Sequence, residues 1–104
     1  MVGEIHLASI NFTDGTAAKV RPVLLLKPNS FNDVLYLPLT SNLLTKGIHI
    51  DSNSLKEGIL PKTSVVVYEK PGVIATNLLL RKIGALQTNV YKQIVSELVA
   101  FLQS

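Results

Sequence analysis

The chain has 104 residues, of which 47% are hydrophobic and 16% are charged. This balance predicts one globular domain over residues 1–104 and excludes an intrinsically disordered chain. Ten lysines and arginines against seven acids give a net charge of +3. That charge permits a polyanionic partner such as nucleic acid without requiring one.

The sequence contains no cysteine, which excludes a disulfide framework and a thiolate metal site. The two histidines, His6 and His49, lack the spacing of metal ligands, so neither a metal nor a cofactor is expected. No apolar run approaches the ~18 residues of a membrane span, and the N-terminus lacks the pattern of a signal peptide. We therefore expect a cytoplasmic protein that does not enter a membrane.

The first predicted strand is Gly3–Ile10, in which apolar Ile5 and Leu7 alternate with polar residues. This alternation places His6 on the face away from the core, where we expect a solvated strand histidine. The polar, glycine-containing segment Asn11–Ala18 then predicts a loop.

A hairpin follows, with strands Lys19–Leu26 and Val34–Leu39 joined by the turn Lys27–Asn32. If the two strands fold symmetrically about the midpoint of that turn, Arg21 faces Thr40 across the ladder. A rigid fork of cationic donors then lies beside a hydroxyl, at the open end of two apolar strands. Such a pair suits phosphate chemistry.

The second half of the chain predicts short strands and one helix. Strands are predicted at Gly47–Ile50, Ser64–Tyr68 and Leu80–Leu86, with a loop at Asp51–Pro61 and no clear pattern in Val73–Leu80. A helix is predicted from Asn89 to about Leu102, capped by Thr88, with an apolar stripe of Val90, Ile94, Leu98 and Leu102. About five to seven short strands and a terminal amphipathic helix favour a mainly β fold, a small and partly open barrel.

Several of these segments occur in the order typical of one toxin family. The matching segments are Gly3–Ile5, a loop ending in Asp14–Gly15, Lys19–Leu26, Leu37–Ser41 and Arg81–Leu86 before a terminal helix. On these residues the chain resembles the MazF/PemK toxins over nearly its whole length. The resemblance implies an SH3-like barrel of the CcdB/PemK type, usually a homodimer, that acts as the toxin of a type II toxin–antitoxin pair. Most members cut single-stranded RNA without a metal, and the cognate antitoxin blocks the RNA groove.

In that family, the arginine of an Arg-Pro block and the threonine of a Thr-Ser block are tied to cleavage, and they match Arg21 and Thr40. Arginine stays protonated in proteins, so we assign Arg21 to charge stabilisation and Thr40 to a supporting hydrogen bond. No general base is assigned, because both histidines are expected in solvent. The remaining polar candidates are predicted to bind substrate: Asn11, Thr13, Lys19, Ser41 and Asn77.

One residue and one segment depart from the family pattern. Ser9 stands where an acidic residue is common, and the stretch Gly72–Asn77 is nearly uncharged where many relatives carry a basic residue. Scattered cations elsewhere could add phosphate attraction, although such residues are usually solvated surface. They are Lys19, Lys27, Lys46, Arg81 and Lys82.

Three functions remain open from the sequence. The first is a growth-inhibiting, sequence-selective endoribonuclease that cleaves messenger RNA and is restrained by an antitoxin. The second is a CcdB-like toxin that binds a topoisomerase, and the third is a catalytically inactive binding module of the same fold. The Arg21/Thr40 pair favours cleavage, because a toxin that only binds protein does not need it.

Overall fold

Short strands make up most of the fold, as the apolar alternation predicts, and one helix ends it. The computed structural model describes residues 1–11 and 18–104, so the predicted substrate residue Thr13 lies outside the described residues. The elements are β1 (Glu4–Ile10), β2 (Lys19–Pro28), β3 (Asp33–Thr40), β4 (Ile48–Ile50), β5 (Leu55–Gly58), β6 (Ser64–Val66), β7 (Gly72–Ala75), β8 (Leu79–Leu86) and α1 (Thr88–Gln103). No helix within the described residues is long and apolar enough to cross a membrane.

The strands form one curled antiparallel sheet in the order β4-β6-β3-β2-β1-β8-β5. Strand β3 changes neighbour along its length, because residues 33–36 pair with β7 and residues 39–40 pair with β6. The sheet is therefore an incomplete barrel with a terminal helix, which confirms the fold class predicted from the sequence.

The middle of the central strand β2, Val23–Leu26, is buried on both faces. The run Val23–Leu26 has no polar alternation, which predicts a strand covered on both sides. Leu24 and Leu26 belong to the main core, into which α1 inserts Ile94 and Leu98. The alternate residues Val23 and Leu25 belong to a smaller core on the opposite face of the sheet. The central strand is thereby fixed from two sides.

Two regions contain strands that the sequence analysis did not predict. Asp51–Pro61, expected to be a loop, holds a 3-10 turn at Ser52–Ser54 and strand β5. Strand β5 exposes most of its side chains, so its sequence carries no strand alternation to detect. The ambiguous segment Val73–Leu80 divides into β7, a 3-10 turn and the start of β8. These additions raise the number of strands described to eight, above the five to seven expected.

The terminal helix begins one residue earlier than expected, and its predicted cap is wrong. Thr88 is the first helical residue, and Gln87 occupies the N-cap position without a side-chain capping bond. The Gln87 side-chain amide instead donates to the carbonyl oxygen of Asn53 at 2.9 Å. The helix start is thus tied to the 3-10 turn before β5 rather than capped by its own hydroxyl. Along the predicted stripe, Leu102 is 66% exposed, so the buried face ends before the last turn.

At the start of β1, three nitrogen-bearing groups lie close to the Glu4 carboxylate. Its oxygens lie 3.2 Å from the Met1 amine, 2.9 Å from His6 Nε2 and 3.3 Å from Lys82 Nζ. The hydrogen bond with His6 is the largest cause of a pKa of about 2 for Glu4, against an ordinary value of 4.5. The expectation of a solvated His6 is therefore wrong, because its side chain is only 13% exposed and is held by Glu4.

Replacing Glu4 with glutamine is expected to lower the free energy of unfolding at pH 7 by about 1–3 kcal/mol, since it removes hydrogen bonds to a charged group. Because the folded pKa is depressed, the wild-type advantage is present above pH 4.5 and is lost as pH falls toward 2. Urea unfolding of both proteins between pH 7 and pH 3 measures this difference.

The matched control is Glu57→Gln, because Glu57 makes a 2.7 Å ion pair with the same Lys82 but is 55% exposed. A surface pair of this kind contributes about 0–1 kcal/mol. Equal losses in the two variants would contradict the special role given to Glu4.

Candidate active site

The hairpin of β2 and β3 has the register that the sequence predicts at its open end. Val23 pairs with Pro38, and Leu25 pairs with Tyr36, as the symmetric turn requires. Toward the turn the register shifts by one residue, because Leu26 forms a bulge in β2. The bulge lies between the Leu25–Tyr36 pair and the turn. The open end of the hairpin therefore keeps the register in which Arg21 on β2 corresponds to Thr40 on β3.

Beyond the Val23–Pro38 pair, β2 and β3 separate. Arg21 pairs instead with Ala8 of β1, and Thr40 pairs with Val65 of β6. Proline has no backbone N–H to give to a ladder, so Pro22 and Pro38 both weaken pairing at this point. The two predicted catalytic residues therefore lie on either side of an opening between neighbouring strands.

The opening is a groove with a volume of about 910 Å³. Arg21 and Thr40 both line it, together with the predicted substrate residues Asn11 and Ser41. The other lining residues are Leu7, Ile10, Pro22, Tyr36, Pro38, Leu39, Asn42, Thr45, Leu60, Pro61, Lys62, Ser64, Val67, Lys70 and Ile83. Two further predicted residues are not in this lining: Lys19 lies at the start of β2, and Asn77 lies in the 3-10 turn before β8.

The charged residues in the described groove lining all carry the same sign. They are Arg21, Lys62 and Lys70, and no aspartate, glutamate or histidine is among the described lining residues. Within residues 1–11 and 18–104, none of these three side chains makes an ion pair or a hydrogen bond. An opening with cations and no compensating acid attracts polyanions.

The loop after β3 fixes the Thr40 hydroxyl. The backbone N–H of Asn42 donates to Thr40 Oγ1 at 3.2 Å. The Asn42 side-chain oxygen accepts a hydrogen bond from the N–H of Leu44 at 3.1 Å, and the Asn42 backbone carbonyl oxygen accepts one from the N–H of Thr45 at 3.1 Å. Since Oγ1 is already an acceptor, its own hydrogen remains to be donated into the groove. The arrangement can therefore donate a hydrogen bond to an anion held by Arg21.

Sequence reasoning missed the two lysines of the groove and favoured others. Lys62 and Lys70 lie on either side of the short strand β6, in segments with no motif that marks them. Of the cations considered instead, Lys46 pairs with Glu69 at 3.2 Å, and Lys82 pairs with Glu4 and Glu57. None of the five cations considered lines the groove. Charge alone could not separate these lysines, because only the curl of the sheet brings residues 62 and 70 to the groove that Arg21 also lines.

The histidines do not supply a base to the groove. His6 is hydrogen-bonded to Glu4, at the end of β1 away from the groove. The Nε2 atom of His49 lies 3.0 Å from the carbonyl oxygen of Leu43. A carbonyl accepts, so that ring nitrogen donates and braces the loop after β3. Neither ring is among the residues that line the groove.

Comparisons with known proteins agree with this fold. The family model of PemK-like, MazF-like toxins of type II toxin–antitoxin systems matches residues 1–102. The toxin MazF-mt6 of Mycobacterium tuberculosis is 24% identical, with a TM-score of 0.67 over 93% of this chain and 92% of that chain. A chain of the MazE–MazF crystal structure (Form-II) from Deinococcus radiodurans is 16% identical, with a TM-score of 0.74 over 98% and 94%.

A third solved structure, an endoribonuclease in complex with its cognate antitoxin from a mycobacterial species, is 16% identical, with a TM-score of 0.72 over 99% of this chain and 94% of that chain. At these identities the structural matches demonstrate a shared fold. No curated protein matches the sequence significantly.

Proposed function

The chain belongs to the family of PemK-like, MazF-like toxins of type II toxin–antitoxin systems, and from this membership we propose that it is a sequence-selective endoribonuclease. Its substrate is single-stranded messenger RNA, and cleavage needs no metal. The observation that carries the proposal is the groove, which brings Arg21 and Thr40 together with cations and without an acid among its described lining residues. RNA is a polyanion of the kind that such a groove attracts.

In the proposed reaction, the 2′-hydroxyl of one nucleotide attacks the adjacent phosphorus, and the bond from phosphorus to the 5′ oxygen of the next nucleotide breaks. The products are a 2′,3′-cyclic phosphate and a 5′-hydroxyl. Negative charge grows on the non-bridging oxygens in the transition state, where the Arg21 guanidinium stabilises it. Thr40 donates a further hydrogen bond, since its oxygen is already held by the Asn42 N–H.

In this proposal, the proton of the 2′-hydroxyl passes to water or to a phosphate oxygen, and the departing 5′ oxygen takes up a proton from water. Arg21 is too weak a proton acceptor for the task, because a guanidinium stays protonated in proteins. Asn11 and Ser41, which line the groove on either side, are assigned to substrate contacts.

The proposal includes the biological setting of the family. Solved structures with the same fold include complexes with an antitoxin, which supports a cognate antitoxin as a partner of this chain. In our proposal, the antitoxin inhibits cleavage by covering the groove. A homodimer, a single domain over residues 1–104 and a cytoplasmic location complete the proposal.

The test is to incubate the purified protein with a mixed single-stranded RNA in EDTA and to analyse the ends of the fragments. We expect fragments with a 2′,3′-cyclic phosphate and a 5′-hydroxyl, because the attacking group belongs to the RNA itself. A DNA strand of the same sequence is the matched control and stays intact, since it has no 2′-hydroxyl. RNA that remains intact in the presence and absence of EDTA would refute the proposal, and a gyrase supercoiling assay would then test topoisomerase binding.

A further inference from the structure

We infer that Lys62 and Lys70 bind the RNA phosphates on either side of the scissile phosphate, so that the RNA strand runs along β6. This inference rests on the proposed function, because Arg21 and Thr40 mark the scissile position. It extends that function by naming the residues that bind the flanking nucleotides. It also implies a substrate with phosphates on both sides of the cleaved bond.

The positions of the two lysines relative to β6 support this path. Thr40 pairs with Val65, in the middle of β6. Lys62 precedes that strand, and Lys70 follows it; both line the same groove as Thr40.

Local hydrogen bonds hold both lysines in place. Ser64 Oγ donates to the carbonyl oxygen of Lys62 at 3.0 Å, and Ser64 is itself buried. The N–H of Lys70 donates to the carbonyl oxygen of Val67 at 3.3 Å, which turns the chain back after β6. The backbone that carries each cation is therefore already arranged before a ligand binds, which lowers the entropy lost on binding.

The acid that precedes Lys70 in the sequence is paired with another lysine. Glu69 is adjacent in sequence, but its carboxylate lies 3.2 Å from Lys46 Nζ and is absent from the groove lining. Because Glu69 is paired with Lys46, its carboxylate does not compete with a phosphate for Lys70. The phosphates of a bound strand are then the acidic partners that the groove cations can meet.

The test measures binding of a labelled hexanucleotide with 2′-O-methyl groups at every position, which cannot be cleaved, at several KCl concentrations. Each single-stranded phosphate contact contributes about 0.7 to the slope of log affinity against log salt. We therefore expect Lys62→Ala and Lys70→Ala each to reduce the magnitude of the slope by about 0.7. We expect Lys62→Arg and Lys70→Arg to restore it, because the charge returns.

The control is Lys92→Ala, an exposed lysine of α1 that is absent from the groove lining, and its slope is expected to match the wild type. A slope unchanged in either groove variant overturns the inference, because the strand is then not held at both ends of β6. An equal reduction of the slope in Lys92→Ala would also overturn the inference, because the reduction would then not be specific to the lysines of the groove.

The outcome for the proposed function is separate. If the hexanucleotide binds as described but RNA is never cut, the two lysines bind phosphate and the endoribonuclease proposal fails. If RNA is cut but neither slope changes, the endoribonuclease proposal stands and the inference fails.

Discussion

Replacing Arg21 with alanine is expected to lower kcat for RNA cleavage by a factor of about 10²–10³, as removal of one oxyanion donor typically does. The loss falls on kcat because the guanidinium stabilises charge that develops only in the transition state. Arg21 is exposed, so the variant keeps its fold. Single-turnover cleavage of an RNA that carries one cut site gives the rate.

Two further variants separate the role of Arg21 from a general effect of charge. Arg21→Lys retains the cation but loses the fork of parallel donors, so we expect activity between that of the wild type and the alanine variant. Lys27→Ala removes an exposed cation from the same strand outside the groove lining and is expected to leave kcat unchanged. An Arg21→Ala protein that cuts RNA at the wild-type rate would exclude Arg21 from catalysis.

Replacing Leu24 with alanine is expected to lower the free energy of unfolding by about 2–5 kcal/mol. Leu24 is fully buried in the main core and pairs with Ile5 on one side and Leu37 on the other. The alanine variant therefore has a cavity beside three paired strands, β1, β2 and β3. The hydrogen-bonded strands have little freedom to move into that cavity. Such a loss is a large share of the 5–15 kcal/mol typical of a domain.

Urea unfolding at pH 7 measures this loss, and Val20→Ala is its control. Val20 lies on the same strand but is 53% exposed, so the expected change is within about 0.5 kcal/mol. A Leu24→Ala variant as stable as Val20→Ala would show that the central strand does not carry the core.

The sequence predicts the register of the hairpin better at its open end than at its turn. The symmetric turn places Arg21 opposite Thr40, but the turn side of the ladder is offset by one residue. The bulge at Leu26 corrects the offset, so the open end has the expected register. Apolar alternation does not reveal such a bulge, because Leu26 continues an unbroken apolar run.

The parts that were not predictable depend on contacts between distant segments. Strand β5 has no apolar alternation and is held by pairing with β8. Alternation places Glu4 and His6 on the same face of β1, but it does not report how far the rest of the fold covers that face, and the His6 side chain is only 13% exposed. Lys62 and Lys70 belong to the groove because the sheet curls, and a composition count cannot distinguish them from lysines on the outer surface.

The gap between β2 and β3 also exposes two sheet edges in the middle of the molecule. Unpaired edges invite a strand from another chain and are a route to aggregation. Pro22 and Pro38 cannot donate to an added strand, and Arg21 brings a charge to the same edge. The residues that open the groove therefore also protect its edges from non-specific pairing with strands of other chains. A substitution at Arg21, Pro22 or Pro38 is accordingly expected to increase aggregation as well as to change activity.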